Sequence, residues 1–168
     1  MIPANRQRNN LQSALYVAIA GVLAAVLLER LLTYAEVAEK AAMEATVSRL
    51  RTALYAKVAY LALRGEYQAI ESLSEQSPFA TGDMKSSNYL GAFDGVPAGG
   101  GEGGKWFYDR VRHELVYVPN LTRYFSGVDG EQSPGLIRYR VEVLKASKYA
   151  YTGVAIRSVN AVRWDPAP

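Results

Sequence analysis

The segment 11–77 contains no proline and only two glycines, Gly21 and Gly65, so few residues in it disfavour a helix. Its first part, residues 14–28, carries no charge, whereas the remainder is rich in Ala, Glu, Arg and Leu. This pattern predicts one long helix that begins apolar and becomes amphipathic. Over residues 11–64 such a helix would measure about 80 Å, which is far longer than a folded domain of about 90 residues.

The apolar part of this helix is long enough to cross a membrane. A bilayer core of about 30 Å takes roughly 20 residues of helix, and we predict the transmembrane helix at residues 11–32. Leu31 and Leu32 extend the apolar segment beyond Glu29 and Arg30. These two charged side chains can pair with each other or extend to the interface.

The charges before the apolar segment predict its orientation. Arg6 and Arg8 lie in residues 1–10, which contain no acid. The positive-inside rule then predicts a cytoplasmic stub at residues 1–10 and a domain outside the membrane. A cleaved signal peptide is the alternative, but a cut near the small residues at 18–21 would divide the apolar segment.

One face of the predicted transmembrane helix is small. Small side chains at this spacing let two helices approach closely in lipid, although alanine is also common in membrane helices. The predicted membrane interface consists of this stripe and the acid that follows it: Ala14, Ala18, Gly21, Ala25 and Glu29.

Residues 33–77 are predicted to form an amphipathic helix outside the membrane, with a stop at Arg64-Gly65 and a shorter helix after it. Glu36 and Lys40 are expected to pair on its surface. One stripe is apolar and is expected to pack on the C-terminal domain: Met43, Val47, Leu50, Leu54, Val58 and Leu61. A second stripe is small and is predicted to be an interface with other molecules: Ala35, Ala38, Ala42 and Ala45. A coiled coil is the alternative, but the apolar stripe is short for one.

Residues 78–104 are rich in glycine and predict a flexible connector, with local structure near Tyr89. Residues 99–105 match part of a phosphate-binding loop. However, Trp106 follows where Ser or Thr is needed, and no buried strand precedes the segment. We therefore predict no nucleotide site here.

Residues 105–168 predict an antiparallel sheet. Residues 105–119 read as a hairpin, and residues 136–144 alternate, with Arg138, Arg140 and Glu142 on the face away from the core. Residues 151–163 predict another strand or a broken pair. The predicted fold class is therefore α+β, with the long N-terminal helix packed on a sheet of four antiparallel strands.

The sequence contains little that indicates catalysis or cofactor binding. It has no cysteine, and its net charge of +3 is too scattered to indicate nucleic-acid binding. His113, the single histidine, lies in a predicted turn between Asp109 and Glu114, which we expect to be turn residues. The segment 129–131 offers weak calcium-binding chemistry. We predict a non-enzymatic protein with no cofactor and no small-molecule substrate.

The layout resembles the type IV pilin and type II secretion pseudopilin superfamily. Residues 35–54 resemble the helix of such proteins outside the membrane. The segments NYLG at 88–91 and WFYDRVRHELVYVPN at 106–120 resemble the loop and first hairpin of pilin-like proteins of mannose-sensitive haemagglutinin pilus biogenesis. The resemblance implies a bacterial inner-membrane location, a periplasmic domain, and pilin or pseudopilin subunits and assembly-platform proteins as partners.

Two features of processed pilins are missing. No glycine precedes Leu11, and residues 11–28 contain no acid, whereas pilins have a glycine before the cleavage site and a glutamate early in the mature helix. We therefore expect an uncleaved accessory protein rather than a fibre subunit. The alternatives are a membrane-anchored periplasmic sensor or ligand-binding module and, with less support, an envelope enzyme that uses His113.

Overall fold

The computed structural model describes residues 4–81, 86–127, 135–147 and 150–165. Its first element, α1 (Ala4–Leu63), is a single helix of 60 residues, which corresponds to about 90 Å. The helix ends where the sequence predicts a stop, because Gly65 adopts a left-handed φ of 70° that other residues rarely take.

The packed half of α1, residues 33–63, covers one face of the sheet domain. All six residues of the predicted apolar stripe are buried, and Leu50 and Leu54 have no exposed surface. Their spacing of three and four residues places them on one side of the helix. This prediction is confirmed.

Three short elements follow α1 before the sheet begins. They are α2 (Tyr67–Glu71), a single 3-10 turn (Ser72–Glu75) and α3 (Pro78–Thr81). Ile70, Leu73 and Phe79 point from them into the core beneath α1. These elements therefore close one end of the space between the helix and the sheet.

Two sheets make up the rest of the domain. The larger has the strand order β1-β2-β3-β5-β6, and the smaller pairs β4 with β7. The strand bounds are β1 (Tyr89–Phe93), β2 (Lys105–Asp109), β3 (Glu114–Val118), β4 (Phe125–Gly127), β5 (Ile137–Ser147), β6 (Ala150–Ser158) and β7 (Val162–Trp164). The predicted α+β architecture, a long N-terminal helix on a sheet, is confirmed.

The sheet departs from the predicted one in strand number and in direction. The larger sheet has five strands, and its edge strand β1 runs parallel to β2, whereas the other neighbouring pairs are antiparallel. The parallel pair arises because residues 94–104 carry the chain back to the start of β2. The predicted broken pair at 151–163 is confirmed, since β6 and β7 are separate strands.

The end of the glycine-rich segment, from Gly101 to Gly104, packs on the sheet, whereas a flexible connector was predicted over residues 78–104. Gly104 N donates a hydrogen bond of 2.7 Å to Val118 O. A Cβ atom built on Gly101 would lie 3.0 Å from Val118 Cγ2 and 3.7 Å from the ring of Phe107. The backbone can approach this closely because the glycine has no side chain. The segment therefore covers the sheet face opposite α1, where Phe107 is fully buried.

A buried ion pair lies in the sheet where the sequence predicted exposed charge. Arg138 Nη1 lies 3.3 Å from Glu114 Oε2, and the two side chains are 5% and 4% exposed. Arg140 Nη2, which is about half-exposed, contacts the other oxygen of Glu114 at 2.6 Å. The alternation of β5 predicted the opposite face to be solvated, and this is wrong at Arg138, whereas Arg140 and Glu142 remain 47% and 45% exposed. Arg138 and Glu114 are thus core residues, and Glu114 is not a turn residue.

Candidate functional site

The apolar half of α1, residues 12–32, projects from the domain with every side chain exposed. Among the residues that the structure describes, α1 is one helix long and apolar enough to cross a membrane, and none of its most apolar window is buried. Large apolar side chains such as Leu23 and Val17 are 65% and 72% exposed. A bare apolar helix of this length is unfavourable in water and favourable in lipid.

The structure leaves both predicted small-residue stripes on the outside of α1. Ala14, Ala18, Gly21 and Ala25 are exposed, as are Ala35, Ala38, Ala42 and Ala45. No atom outside the helix backbone comes within 4 Å of a Cβ built on Gly21. Both stripes are therefore accessible to other molecules.

The two stripes lie on different sides of the helix. At about 100° per residue, Ala25 lies close to the direction of Glu36, eleven residues later, which is buried against the domain. Ala42, six residues after Glu36, lies about a third of a turn away from that direction. The stripe that contains Ala25 therefore lies on the same side of α1 as the domain but nearer the N-terminus. The stripe that contains Ala42 faces away from the domain.

At the boundary between the two halves of α1, three glutamates hold a loop of the domain. We call residues 119–124, which connect β3 to β4, the junction loop. The first contact is at Glu29, whose Oε1 lies 2.9 Å from Arg123 Nη2. Glu29 thus pairs with the domain.

Glu36 is the most buried of these acids, with 1% of its surface exposed. Its Oε1 accepts hydrogen bonds from Tyr124 N at 3.1 Å and from Trp164 Nε1 at 2.8 Å. The predicted surface pair with Lys40 is wrong in its placement of Glu36, because this acid faces the domain. A carboxylate is tolerated at such a position only when donors satisfy it.

Glu39 binds the start of the junction loop. Its Oε1 accepts hydrogen bonds from Tyr117 Oη at 2.8 Å and Asn120 N at 2.6 Å, and its Oε2 accepts one from Leu121 N at 3.0 Å. Burial, with the hydrogen bond to Glu39 as the next cause, raises the pKa of Tyr117 well above its usual value. The phenol therefore stays protonated and remains a donor.

Thr33 completes the set of helix residues that hold the loop. Its Oγ1 lies 3.4 Å from Tyr124 Oη and also donates to Glu29 O at 3.2 Å. Thr33, Glu36 and Glu39 follow one another at intervals of three and lead directly into the buried Met43. In the sequence, the signal for these contacts is that three polar residues continue the helical spacing of the apolar stripe.

Asp109 and His113, which were considered for catalysis, lie at the turn between β2 and β3. Asp109 Oδ1 accepts hydrogen bonds from Val111 N at 2.9 Å and Arg112 N at 3.2 Å, which confirms its role in the turn. His113 is exposed in that turn, with a φ of 52° and its Nδ1 3.5 Å from Tyr108 Oη. No group of three or more His, Asp or Glu residues in the described segments could hold a metal ion. The weak calcium candidate at 129–131 lies outside the described residues.

A cleft of about 290 Å³ opens between α1 and the sheets. Lys40 and Glu44 contribute charged side chains from the helix, and Tyr139 and Ser158 contribute hydroxyl groups from the strands. The Tyr139 hydroxyl contacts Met43 Sδ at 3.1 Å. The cleft is at the small end of the range for ligand sites, which begins at about 300 Å³.

Comparison of the chain with protein-family models, with curated proteins and with solved structures finds no match.

Proposed function

We propose that this protein is a single-pass inner-membrane protein that resembles pilins and pseudopilins and serves type IV pilus biogenesis or type II secretion. It acts by protein–protein interaction, as an accessory to the pilin-like subunits and the assembly platform. Residues 1–10 lie in the cytoplasm, and the α+β domain lies in the periplasm. Within this proposal the machine is a pilus of the mannose-sensitive haemagglutinin type, on the resemblance of residues 88–91 and 106–120.

The continuity of α1 carries this proposal. One helix without a break supplies a bare apolar half of membrane-spanning length and a packed half that forms part of the domain core. A module on a flexible tether would have a linker between the two. Here Leu32, the exposed leucine that ends the apolar half, is followed at once by the buried Thr33. A rigid helix of this kind transmits a lateral contact in the membrane directly to the domain.

The proposed accessory role is supported by two sequence features of pilins that the apolar half of α1 lacks. It has no acid between residues 11 and 28 and no glycine before Leu11. Glu29, the first acid, pairs with Arg123 of the same chain at 2.9 Å. Its carboxylate therefore already has a partner within this subunit.

Photo-crosslinking in living cells tests the partner. A photoreactive residue at Gly21 or Ala42 is expected to capture a pilin, pseudopilin or platform protein, to be identified by mass spectrometry. Leu23 is the matched control, because it is in the same helix and 65% exposed but lies on the side away from Gly21. Capture of proteins unrelated to these machines, or equal capture from Leu23, contradicts the proposal.

The mass of the purified protein tests processing. An uncleaved chain retains the full 18.4 kDa. A mature chain that begins within residues 11–25 contradicts the uncleaved form.

The cleft beside Tyr139 favours a second candidate function, a membrane-anchored ligand-binding module. The variant Ser158→Trp places a large ring at its rim without altering the apolar half of α1. If ligand binding in the cleft is the function, this variant abolishes function in cells. The accessory proposal predicts that Ser158→Trp is tolerated and that Gly21→Leu, which blocks the small stripe, is not.

A further inference from the structure

The junction loop lies on one side of α1 at the point where the helix leaves the domain. We propose that the junction loop, together with Arg30 and Tyr34, rests on the phospholipid headgroups of the membrane that α1 crosses. The inference depends on the proposed function only in that residues 12–32 span a bilayer. It adds a binding surface for lipid phosphate and a fixed height of the domain above the membrane.

The height follows from the helix geometry. Leu32 is the last residue of the apolar half, and Glu36 lies four residues later, which is about 6 Å further along the axis. The headgroup layer on each side of a bilayer is about 5–7 Å thick. Groups that bind Glu36 from the side thus lie at headgroup level.

The junction loop is held at this level. Tyr124 N donates to Glu36 Oε1, and Tyr124 Oη contacts Thr33 Oγ1. Arg123 then extends to Glu29, seven residues below Glu36, where it lies 2.9 Å from the carboxylate. Since side chains on a helix lean toward its N-terminus, the Glu29 carboxylate lies still closer to the membrane core.

The side chains at this height have the chemistry of a membrane interface. Arg123 is 52% exposed, and its guanidinium lies 5.8 Å from the centre of the Tyr124 ring. On the free side of the helix, Arg30 is exposed and Tyr34 is 60% exposed. Tyrosine is enriched at the level of the headgroups, and arginine binds phosphate through its planar set of donors.

The position of Glu29 gives a physical reason for an arginine at position 123 of the junction loop. A carboxylate within an apolar helix is costly near lipid unless a partner neutralises it. Arg123 neutralises it from the domain, and the junction loop is in turn fixed by Glu36 and Glu39. The loop thus brings its arginine to Glu29, the only acid in residues 12–32.

Spin labels test this placement in the full chain. The protein has no cysteine, so single cysteines can be labelled directly. The variants are Thr122→Cys in the junction loop, Ala56→Cys on the exposed side of the packed half, and Leu23→Cys in the apolar half. Each is reconstituted into vesicles of phosphatidylethanolamine and phosphatidylglycerol, with or without a lipid that carries a nickel chelate on its headgroup.

The nickel lipid is expected to enhance relaxation of the label at residue 122 strongly and to leave the label at residue 56 unchanged. Equal relaxation at 122 and 56 overturns the inference. Oxygen accessibility of the label at residue 23 separates failure of the headgroup contact from failure of residues 12–32 to span the bilayer. A label at 23 that is shielded from water but accessible to oxygen confirms the span whatever the result at 122. A water-accessible label at 23 overturns both the span and the headgroup contact.

Discussion

Trp164 Nε1 donates a hydrogen bond of 2.8 Å to Glu36 Oε1, and these two residues are 128 positions apart in the chain. The same oxygen accepts a hydrogen bond from Tyr124 N. One buried carboxylate thus joins α1 to both strands of the small sheet, because Tyr124 precedes β4 and Trp164 ends β7. The domain is fixed to the helix within one turn of the end of the apolar half.

Removal of the Glu36 carboxylate is expected to destabilise the domain strongly. Glu36→Ala leaves one buried donor, Trp164 Nε1, and one partly buried donor, Tyr124 N, without an acceptor. We expect the free energy of unfolding to fall by about 3 kcal/mol. Urea unfolding in detergent micelles, followed by tryptophan fluorescence, measures the change. Glu36→Gln retains an acceptor oxygen and should lose less. Glu44→Ala, an exposed acid on the same helix, is the control and should change stability by less than about 0.5 kcal/mol.

The buried pair of Glu114 and Arg138 gives a second prediction. Glu114→Gln leaves the arginine charge without its counter-ion in a site that is 5% exposed. Loss of one partner of a buried pair typically costs about 3–5 kcal/mol, and we expect unfolding experiments to give a value in this range. The double variant Glu114→Met with Arg138→Met should recover much of the loss, because it removes both charges. A double variant as unstable as the single one contradicts this account.

An exposed ion pair between β5 and β6 is the control for this prediction. Arg157 Nε lies 3.0 Å from Glu142 Oε2, but the side chains are 63% and 45% exposed. Water screens such a pair, so Glu142→Gln should cost no more than about 1 kcal/mol.

The apolar stripe of α1 could be predicted from the sequence, whereas the glutamates before it could not. Met43 and Leu50 recur at helical spacing and have no charge, so their burial follows from the local pattern. Glu36 and Glu39 continue the same spacing, but a charged residue on a helix normally faces water. Their burial depends on Trp164 and the junction loop, which are far away in the sequence.

The larger sheet likewise contains one strand pairing that the local sequence predicts and one that it does not. The hairpin of β2 and β3 is joined by a short turn, and its alternation predicts the pairing. The parallel pairing of β1 with β2 depends on how residues 94–104 fold over Phe107, which no local pattern specifies.

The two small stripes of α1 are exposed as a partner site requires, and their role stays a prediction.

Two leucines of α1 provide a matched pair for the packing prediction. Leu50 is fully buried, whereas Leu63, at the end of the helix, is 90% exposed. Leu50→Ala removes the same atoms as Leu63→Ala but leaves a cavity, so it should cost about 2–5 kcal/mol in the free energy of unfolding. Leu63→Ala should cost less than about 0.5 kcal/mol. Similar losses at both positions would mean that α1 does not pack on the sheet through this stripe.

The buried Tyr108 and the partly buried Tyr139 predict a loss of stability at high pH. Burial is the main cause that raises the pKa of Tyr108 to about 12 and that of Tyr139 to about 12, from an ordinary value of 10. Above pH 10 the unfolded chain therefore releases protons that the folded chain retains, and the free energy of unfolding falls as the pH rises. The loss from these two groups should continue up to about pH 12 and should be absent below pH 10.

The variant Tyr139→Phe tests this pH dependence. It retains the ring but removes one ionisable hydroxyl, so the decline in stability above pH 10 should be shallower than in the unmodified chain. Thermal unfolding across this pH range measures the slope. An unchanged slope would show that Tyr139 ionises equally in both states.

Gly100 and Gly101 separate backbone strain from close packing in the glycine-rich segment. Both have left-handed φ angles, 83° and 91°, so alanine at either position should cost about 1 kcal/mol from strain alone. Only at Gly101 would the new methyl group also lie 3.0 Å from Val118 Cγ2, whereas Gly100 faces open space. We therefore expect Gly101→Ala to lower the free energy of unfolding by about 1–2 kcal/mol more than Gly100→Ala. Urea unfolding of the two variants measures the difference, and equal losses would contradict the close packing of this segment over Phe107.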